Sequence, residues 1–279
     1  MGRRSPWKRV LLDRSLDVLT YVVVLLALCP VLWLALTAFK TRADAFAMPP
    51  VWLFTPTLAN FQEVFQQTSF YEEYLNSIIV ASNTTALALL IGLPAAYALT
   101  RFQFRFKRGL AFWILNTRLV PPIGVLFPLY VIFDRLGLLD TYAGLMVLYL
   151  SFTLAFVIWM MRGYLMQVPV ELEEAAYCDG ATRVGALVRI VLPLVVPGIT
   201  AVAILTFVAC WNEFMYALIF TRMTARTAPV AIVGFMSFEG INWGSLAAAG
   251  LAILAPVYLL SIFAVRYLVT GLSMGVVKD

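Results

Sequence analysis

Between Arg162 and Pro193 the chain concentrates residues whose types and spacing point to work beyond simple packing. Pro169 is followed by Glu171, Glu173 and Glu174, then by Ala175, Ala176, Asp179 and Gly180. Proline suits the first turn of a helix, where its missing N–H forfeits no bond, and three carboxylates there meet the positive end of the helix dipole. Gly180 can take the left-handed conformation that stops such a helix. The predicted helix puts Leu172, Ala175, Ala176 and Asp179 on one face, where small residues let another body approach closely. Thr182 suits the N-cap of a second short helix, with Val184, Leu187, Val188 and Val191 in one stripe before Pro193 and Pro197. Two short helices meeting at a glycine make an elbow, which is a shape for docking.

Catalytic chemistry finds little support elsewhere. Histidine is absent, so no Ser-His-Asp or Cys-His set can form, and the commonest metal ligand is missing. Cys29, Cys178 and Cys210 are far apart and show neither a disulfide framework nor metal spacing. None of Lys8, Lys40, Lys107 or Lys278 lies in a Gly-x-x-x-x-Gly-Lys-Ser/Thr phosphate loop, so ATP is not bound by that means. The remaining polar candidates, Arg118 and Glu213, lie in apolar surroundings where charge is costly. Two readings stand for them. They line a hydrated substrate path together with Trp211, Asn212 and Tyr216, whose rings and amide suit the apolar and hydroxyl faces of a sugar. Alternatively, they sit at span ends or pair with each other to hold helices together. Asn83 and Asn116 read as hydrogen-bonding glue between helices.

The elements that must position these residues are membrane spans. Sixty-two per cent of the residues are apolar and 13% charged, against about a quarter charged in a soluble domain. Six stretches can cross a bilayer: Leu16–Phe39, Tyr74–Thr100, Leu110–Phe133, Tyr142–Met161, Val191–Phe220 and Leu246–Val269. A patch at Ala228–Phe238, with Pro229, is too short and is expected to be a loop. One membrane domain is expected over residues 16–270, with an N-terminal segment 1–15, a loop 163–190 and a tail 271–279. Net charge is +5, but the cations fall between apolar runs as topology signals, which argues against nucleic acid. Arg3, Arg4, Lys8, Arg9 and Arg14 precede the first span, and Arg101, Arg105, Lys107 and Arg108 follow the second. The positive-inside rule places both groups, the elbow and both termini in the cytoplasm.

Glu174-Ala175-Ala176, three residues, Gly180, nine residues, Ile190, one residue and Leu192-Pro193 resemble the EAA motif of ABC importer permeases at every defining position. Asp179, Ala181, Leu194 and Pro197, the run Pro94–Ala98 before Arg101-Phe102, and Trp211–Phe214 are similar to the carbohydrate-uptake, maltose-type branch. Gly271–Lys278 resembles the end of the shorter, second permease of the pair. The resemblance implies an all-α membrane protein with type I ABC importer permease architecture, six transmembrane helices and a cytoplasmic EAA coupling-helix elbow. Glu174 would be the charged contact with an ATPase groove, Ala175 and Ala176 the close-packing surface, and Asp179 and Gly180 the bend, with Ala181, Ile190, Leu192 and Pro193 completing the coupling set. Implied partners are a second homologous permease, two copies of a cytoplasmic ATPase and an extracytoplasmic sugar-binding protein. The chain itself would be non-catalytic and bind no cofactor, with ATP and Mg on the ATPase, and it would lie in the bacterial cytoplasmic membrane carrying a sugar or polyol. The competing reading is a self-sufficient secondary transporter or channel. It lacks coupling-ion carboxylates at mid-membrane apart from Glu213, and has no use for the elbow.

Overall fold

A computed structural model describes residues 6–237 and 240–273; Arg3, Arg4 and the tail from Met274, including Lys278, lie outside the described residues. In chain order the helices are α1 (Pro6–Ala38), α2 (Arg42–Phe46), α3 (Ala59–Gln66), α4 (Phe70–Arg101), α5 (Lys107–Asn116), α6 (Pro122–Arg135) and α7 (Tyr142–Met166). There follow α8 (Glu171–Cys178), α9 (Arg183–Ala186), α10 (Leu192–Trp211), α11 (Met215–Phe220), α12 (Ala228–Ala231), antiparallel two-residue strands β1 (Met236–Ser237) and β2 (Gly240–Ile241), and α13 (Trp243–Ser273). Among the described residues five runs are long and apolar enough to cross a membrane: Leu16–Ala38, α4, α7, Arg183–Trp211 and Trp243–Phe263. The α5–α6 pair makes a sixth if counted as one span.

That pair stands where one span is expected at Leu110–Phe133, and it bends by 94° between α5 and α6. After α5 a single 3-10 turn, Thr117–Leu119, leads to Val120, which is extended at ψ 119°. A residue before proline is pushed out of the helical region, and Pro121-Pro122 then restarts the helix in a new direction. The fifth span is corrected. It starts at Arg183, runs through a π-helical turn at Leu187–Val191 and ends at Trp211, so α11 is separate. The patch at Ala228–Phe238, expected as a loop, contains α12 and a 3-10 turn, Ile232–Phe235, before β1.

Contacts divide the chain into two compact units where one domain is expected. One takes the chain up to Ser69 together with Phe235–Ala252; the other takes Phe70–Gly234 and the chain from Ile253 on. In the first, Asn60 donates to the carbonyls of Ala38 and Lys40 at 2.8 Å each. The buried Lys40 ammonium lies 4.6 Å from the Trp33 ring centroid, a cation–π contact that compensates its loss of water. The membrane window of α1, by contrast, has no buried residue.

The second unit is built on α4, α7 and α10. Ala88, Gly92 and Ala96 recur every fourth residue on α4, so backbones can approach closely where lipid supplies no hydrophobic drive between helices. A Cβ at Gly92 would lie 2.6 Å from Val157 Cγ1 of α7, so only glycine fits that crossing. Val157, Met161, Leu165, Val191 and Val202 are fully buried beside this seam.

Candidate coupling elbow and transport path

The elbow is built as two arms on a glycine. α8 begins at Glu171, two residues after Pro169, so the proline lies ahead of the helix and not in its first turn as expected. Gly180 has φ +83°, where a side chain is disfavoured. The Ala181 N–H donates to the Ala176 carbonyl at 2.9 Å and the Gly180 N–H to that of Tyr177 at 3.1 Å, closing the helix end. The Thr182 hydroxyl accepts from the Gly185 N–H at 3.1 Å and so caps α9.

The two faces of α8 differ. Glu173 and Ala176 are buried, whereas Leu172, Glu174, Ala175, Cys178 and Asp179 are exposed. Ala175 and Ala176 therefore do not form one surface: Ala176 packs inward and Ala175 faces out. The carboxylate of Glu173 is held by Arg101 Nε at 2.6 Å and by the Tyr97 hydroxyl at 2.6 Å, both from the end of α4. Arg101 Nη2 also donates to the Val168 carbonyl at 2.8 Å, in the linker between α7 and α8. The ion pair is dry, with the two side chains 11% and 2% exposed, so its hydrogen bonds satisfy charges that would otherwise be costly. On the second arm, the Arg183 guanidinium lies 5.2 Å from the Phe102 ring centroid, and Phe102 meets Tyr97 edge to face.

The valine stripe expected on the second arm is split. Val191 is buried and Leu187 partly so, but Val184 and Val188 are 70% and 53% exposed. The π-helical turn adds a residue and rotates what precedes it, turning two valines outward. Ile190 and Leu192 are partly buried and Pro193 is exposed.

At the other end of α4 a second network ties down residues 221–228, here called the strap. The Asp140 carboxylate, on a residue with φ +54°, accepts from the backbone N–H groups of Arg222, Met223, Thr224 and Ala225 at 2.9–3.2 Å. Burial alone would raise the Asp140 carboxyl, but the four N–H donors outweigh it and hold its pKa down at about 2. Asn76 of α4 donates to the carbonyls of Thr224 and Arg226 and accepts from the Tyr142 hydroxyl at 2.6 Å. The Ser77 hydroxyl accepts from the Ala228 N–H at 2.8 Å, and Glu73 pairs with Arg226 at 3.3 Å.

The path candidates separate on inspection. Trp211 is buried, its indole N–H donating to the Ile253 carbonyl at 3.0 Å and its ring edge-on to Tyr74. Glu213 caps α11 by accepting from the N–H groups of Tyr216 and Ala217 at 2.9 and 3.1 Å. Tyr216 is buried and stacked on Phe152, centroids 6.0 Å apart and planes 4° from parallel. Arg118, in the bend between α5 and α6, lies 4.8 Å over the Phe156 ring and is not paired with Glu213. Asn212 is exposed in the break after α10. A cleft of about 420 Å³ opens nearby on apolar walls, with Thr85 and Leu89 of α4, Ala203 and Phe207 of α10 and Leu260 of α13, and none of these five candidates lines it.

Asn83 and Asn116 are not glue between helices, because each bonds back four residues within its own helix at 2.8 Å. That role falls to Asn76. Sequence reasoning also passed over Glu173, Arg101 and Tyr97 as a set. The signal was present: an acid beside the docking acid, and an arginine closing a long apolar span. Among the described residues no cluster of three or more His, Cys, Asp or Glu could hold a metal.

Residues 88–274 match the family described as binding-protein-dependent transport system inner membrane component. The trehalose/maltose transport system permease protein MalG of Thermococcus litoralis is 34% identical over 99% of both chains. A probable ABC transporter permease protein of Sinorhizobium fredii, y4oR, is 39% identical over 92% of both. A solved chain of a bacterial ABC transporter that imports alginate superposes with a TM-score of 0.80 at 22% identity, covering 96% of this chain and 99% of that one, and shares its type I importer permease fold. With its several apolar helices the protein is a multi-pass membrane permease, and the chain belongs to the family of binding-protein-dependent transport system inner membrane components.

Proposed function

We propose that this permease carries a sugar or related polyol and is driven through its elbow by a cytoplasmic ATPase. The observation that carries the reading is the division of α8: one face is fixed to α4 through Glu173, while the other leaves Glu174, Ala175, Leu172 and Cys178 open, as Val184 and Val188 are on the second arm. An exposed acid among small and apolar residues suits a groove with a cation at its edge. ATP and Mg would be bound on that partner, two copies of which would serve this chain and a second, homologous permease, with a binding protein delivering the sugar on the far side. The distribution of Lys and Arg supports cytoplasmic termini. The sugar class is supported by relatives such as the trehalose/maltose permease. On the path, exposed Asn212 and Arg118 are the contacts to test, since Trp211, Glu213 and Tyr216 already serve packing and capping.

The test uses tagged protein and the exposed thiol of Cys178. An ATPase subunit should copurify, and an impermeant thiol reagent should label Cys178 in inside-out vesicles stripped of that subunit but not in intact cells. Readdition of the ATPase should protect it. Labelling in intact cells, or ATP-independent uptake of trehalose and maltose, would favour a secondary transporter with inverted topology.

A further inference from the structure

α4 is one continuous helix of 32 residues, about 48 Å long at the usual rise. Its two ends carry the two networks described above, and nothing in the motif that marks the elbow explains why. At the elbow end Arg101 grips twice, once on the Glu173 carboxylate inside α8 and once on the Val168 carbonyl in the linker that leads to it. α8 can therefore neither slide nor pivot on its linker without breaking one of those bonds. Tyr97, one turn earlier, holds the other carboxylate oxygen, and Phe102 carries the second arm through Arg183. Because the ion pair is shielded from water, salt does not weaken it as it would a surface pair. At the far end Glu73, Asn76 and Ser77, at spacings of three and four on one face of α4, hold Arg226, the carbonyls of Thr224 and Arg226, and the Ala228 N–H. Between the ends Pro94 removes one backbone hydrogen bond, but the close crossing at Gly92, two residues earlier, leaves α4 little room to bend there, and packed helices shift as bodies more readily than they deform.

We propose that α4 is a connecting rod held at both ends, and that Arg101, Tyr97 and Glu173 position α8 on it so that a displacement of the elbow is delivered to the strap at residues 221–228. This rests on the coupling role proposed for the elbow. Glu173, buried and turned away from the docking face, is thus a positioning residue, while Glu174 beside it meets the partner. The covalent route through α7 stays intact in every variant of this set, so a loss of delivery reports on the rod.

The experiment uses the complex with its ATPase in liposomes. Met223, 87% exposed on the strap, is replaced by cysteine and labelled with an environment-sensitive fluorophore in the assembled complex, after Cys29→Ser removes one exposed native thiol and with Cys178 left in place under the bound ATPase. The parent should show a fluorescence change between the nucleotide-free and ATP-bound states. Glu173→Gln and Arg101→Lys keep size and should still assemble. In both, the amplitude and the uptake per ATP hydrolysed should fall roughly 5-fold or more while hydrolysis stays within about 2-fold, and Tyr97→Phe should follow more weakly. The exchange Arg101→Glu with Glu173→Arg should recover part of the amplitude. Unchanged amplitude and unchanged uptake per ATP in assembled Glu173→Gln and Arg101→Lys would overturn the rod. So would losses that track only the amount of assembled complex, or a failure to assemble that the exchange does not recover. A parent that binds no ATPase takes down the coupling reading as well, and is recognised before any variant is made.

Discussion

The elbow and the strap are both fastened by a carboxylate, yet in opposite ways. Glu173 is bound by side chains in a dry site, by Arg101 and Tyr97 at 2.6 Å and by Tyr177 at 3.5 Å, so its fastening depends on which residues stand at those positions. Asp140 is bound by four backbone N–H groups, a fastening indifferent to the side chains at 222–225. The first arrangement fixes orientation: a desolvated ion pair adds little net stability over an apolar substitute, but it rejects every geometry except its own. The second fixes only the path of the chain and leaves the Met223 side chain exposed.

The sharpest way to break this comparison is to leave one charge of the elbow pair alone. Arg101→Ala or Glu173→Ala should cost about 3–5 kcal/mol in the detergent-solubilised complex, and the double mutant clearly less than the sum. Single costs near zero would mean that water reaches the site. Asp140→Ala comes next, at about 2 kcal/mol, with Asp140→Asn losing roughly half of that because an amide oxygen still accepts and asparagine tolerates the positive φ. Met223→Ala and Thr224→Ala should each change the melting temperature by the equivalent of less than about 0.5 kcal/mol, since their N–H groups remain. A larger loss at either would show that side chains matter in the strap after all.

Gly180→Val should cost about 1–2 kcal/mol by forcing a β-branched residue to φ +83°, and should lower uptake further by turning the second arm. The Asp140 pKa is near 2 against an ordinary 3.8, so the unfolded chain binds the extra proton. Its contribution is fully present above about pH 4 and is lost as pH falls through 2. The Asp140→Asn variant should show a flatter stability curve across that window. Smallest in stability, though not in function, is Glu174→Ala: the melting temperature should stay unchanged while ATP-driven uptake collapses, because the side chain is exposed on the face proposed to meet the ATPase. A melting shift comparable to that of Glu173→Ala would erase the distinction between the two faces of α8.

What could be read from the sequence divides along the same line. The turn at Gly180, the cap at Thr182 and the approximate places of the spans depend on neighbours within a few residues, and local patterns report them. The bend at Pro121-Pro122 was written in the prolines but blurred by the apolar run on either side. Hydrophobicity alone carried the fifth span through Trp211 to Phe220, since it cannot register that Glu213 starts a new helix by capping it. Asn76 and Asp140 were invisible for another reason: their partners are backbone groups 82–150 positions away, and a carbonyl or N–H leaves no mark in a string of side chains. The π-helical turn that splits the valine stripe is equally silent, because a one-residue slip in a helix changes no residue type.

The window of α1 that has no buried residue has a consequence for how the chain varies between species. With no position there buried against its own chain, most answer chiefly to what surrounds the helix, so one large apolar side chain can replace another at little cost. The crossing at Gly92 has no such latitude. Over generations the two should age at different rates, with α1 drifting through leucine, valine and phenylalanine while α4 and α7 hold their small residues in place.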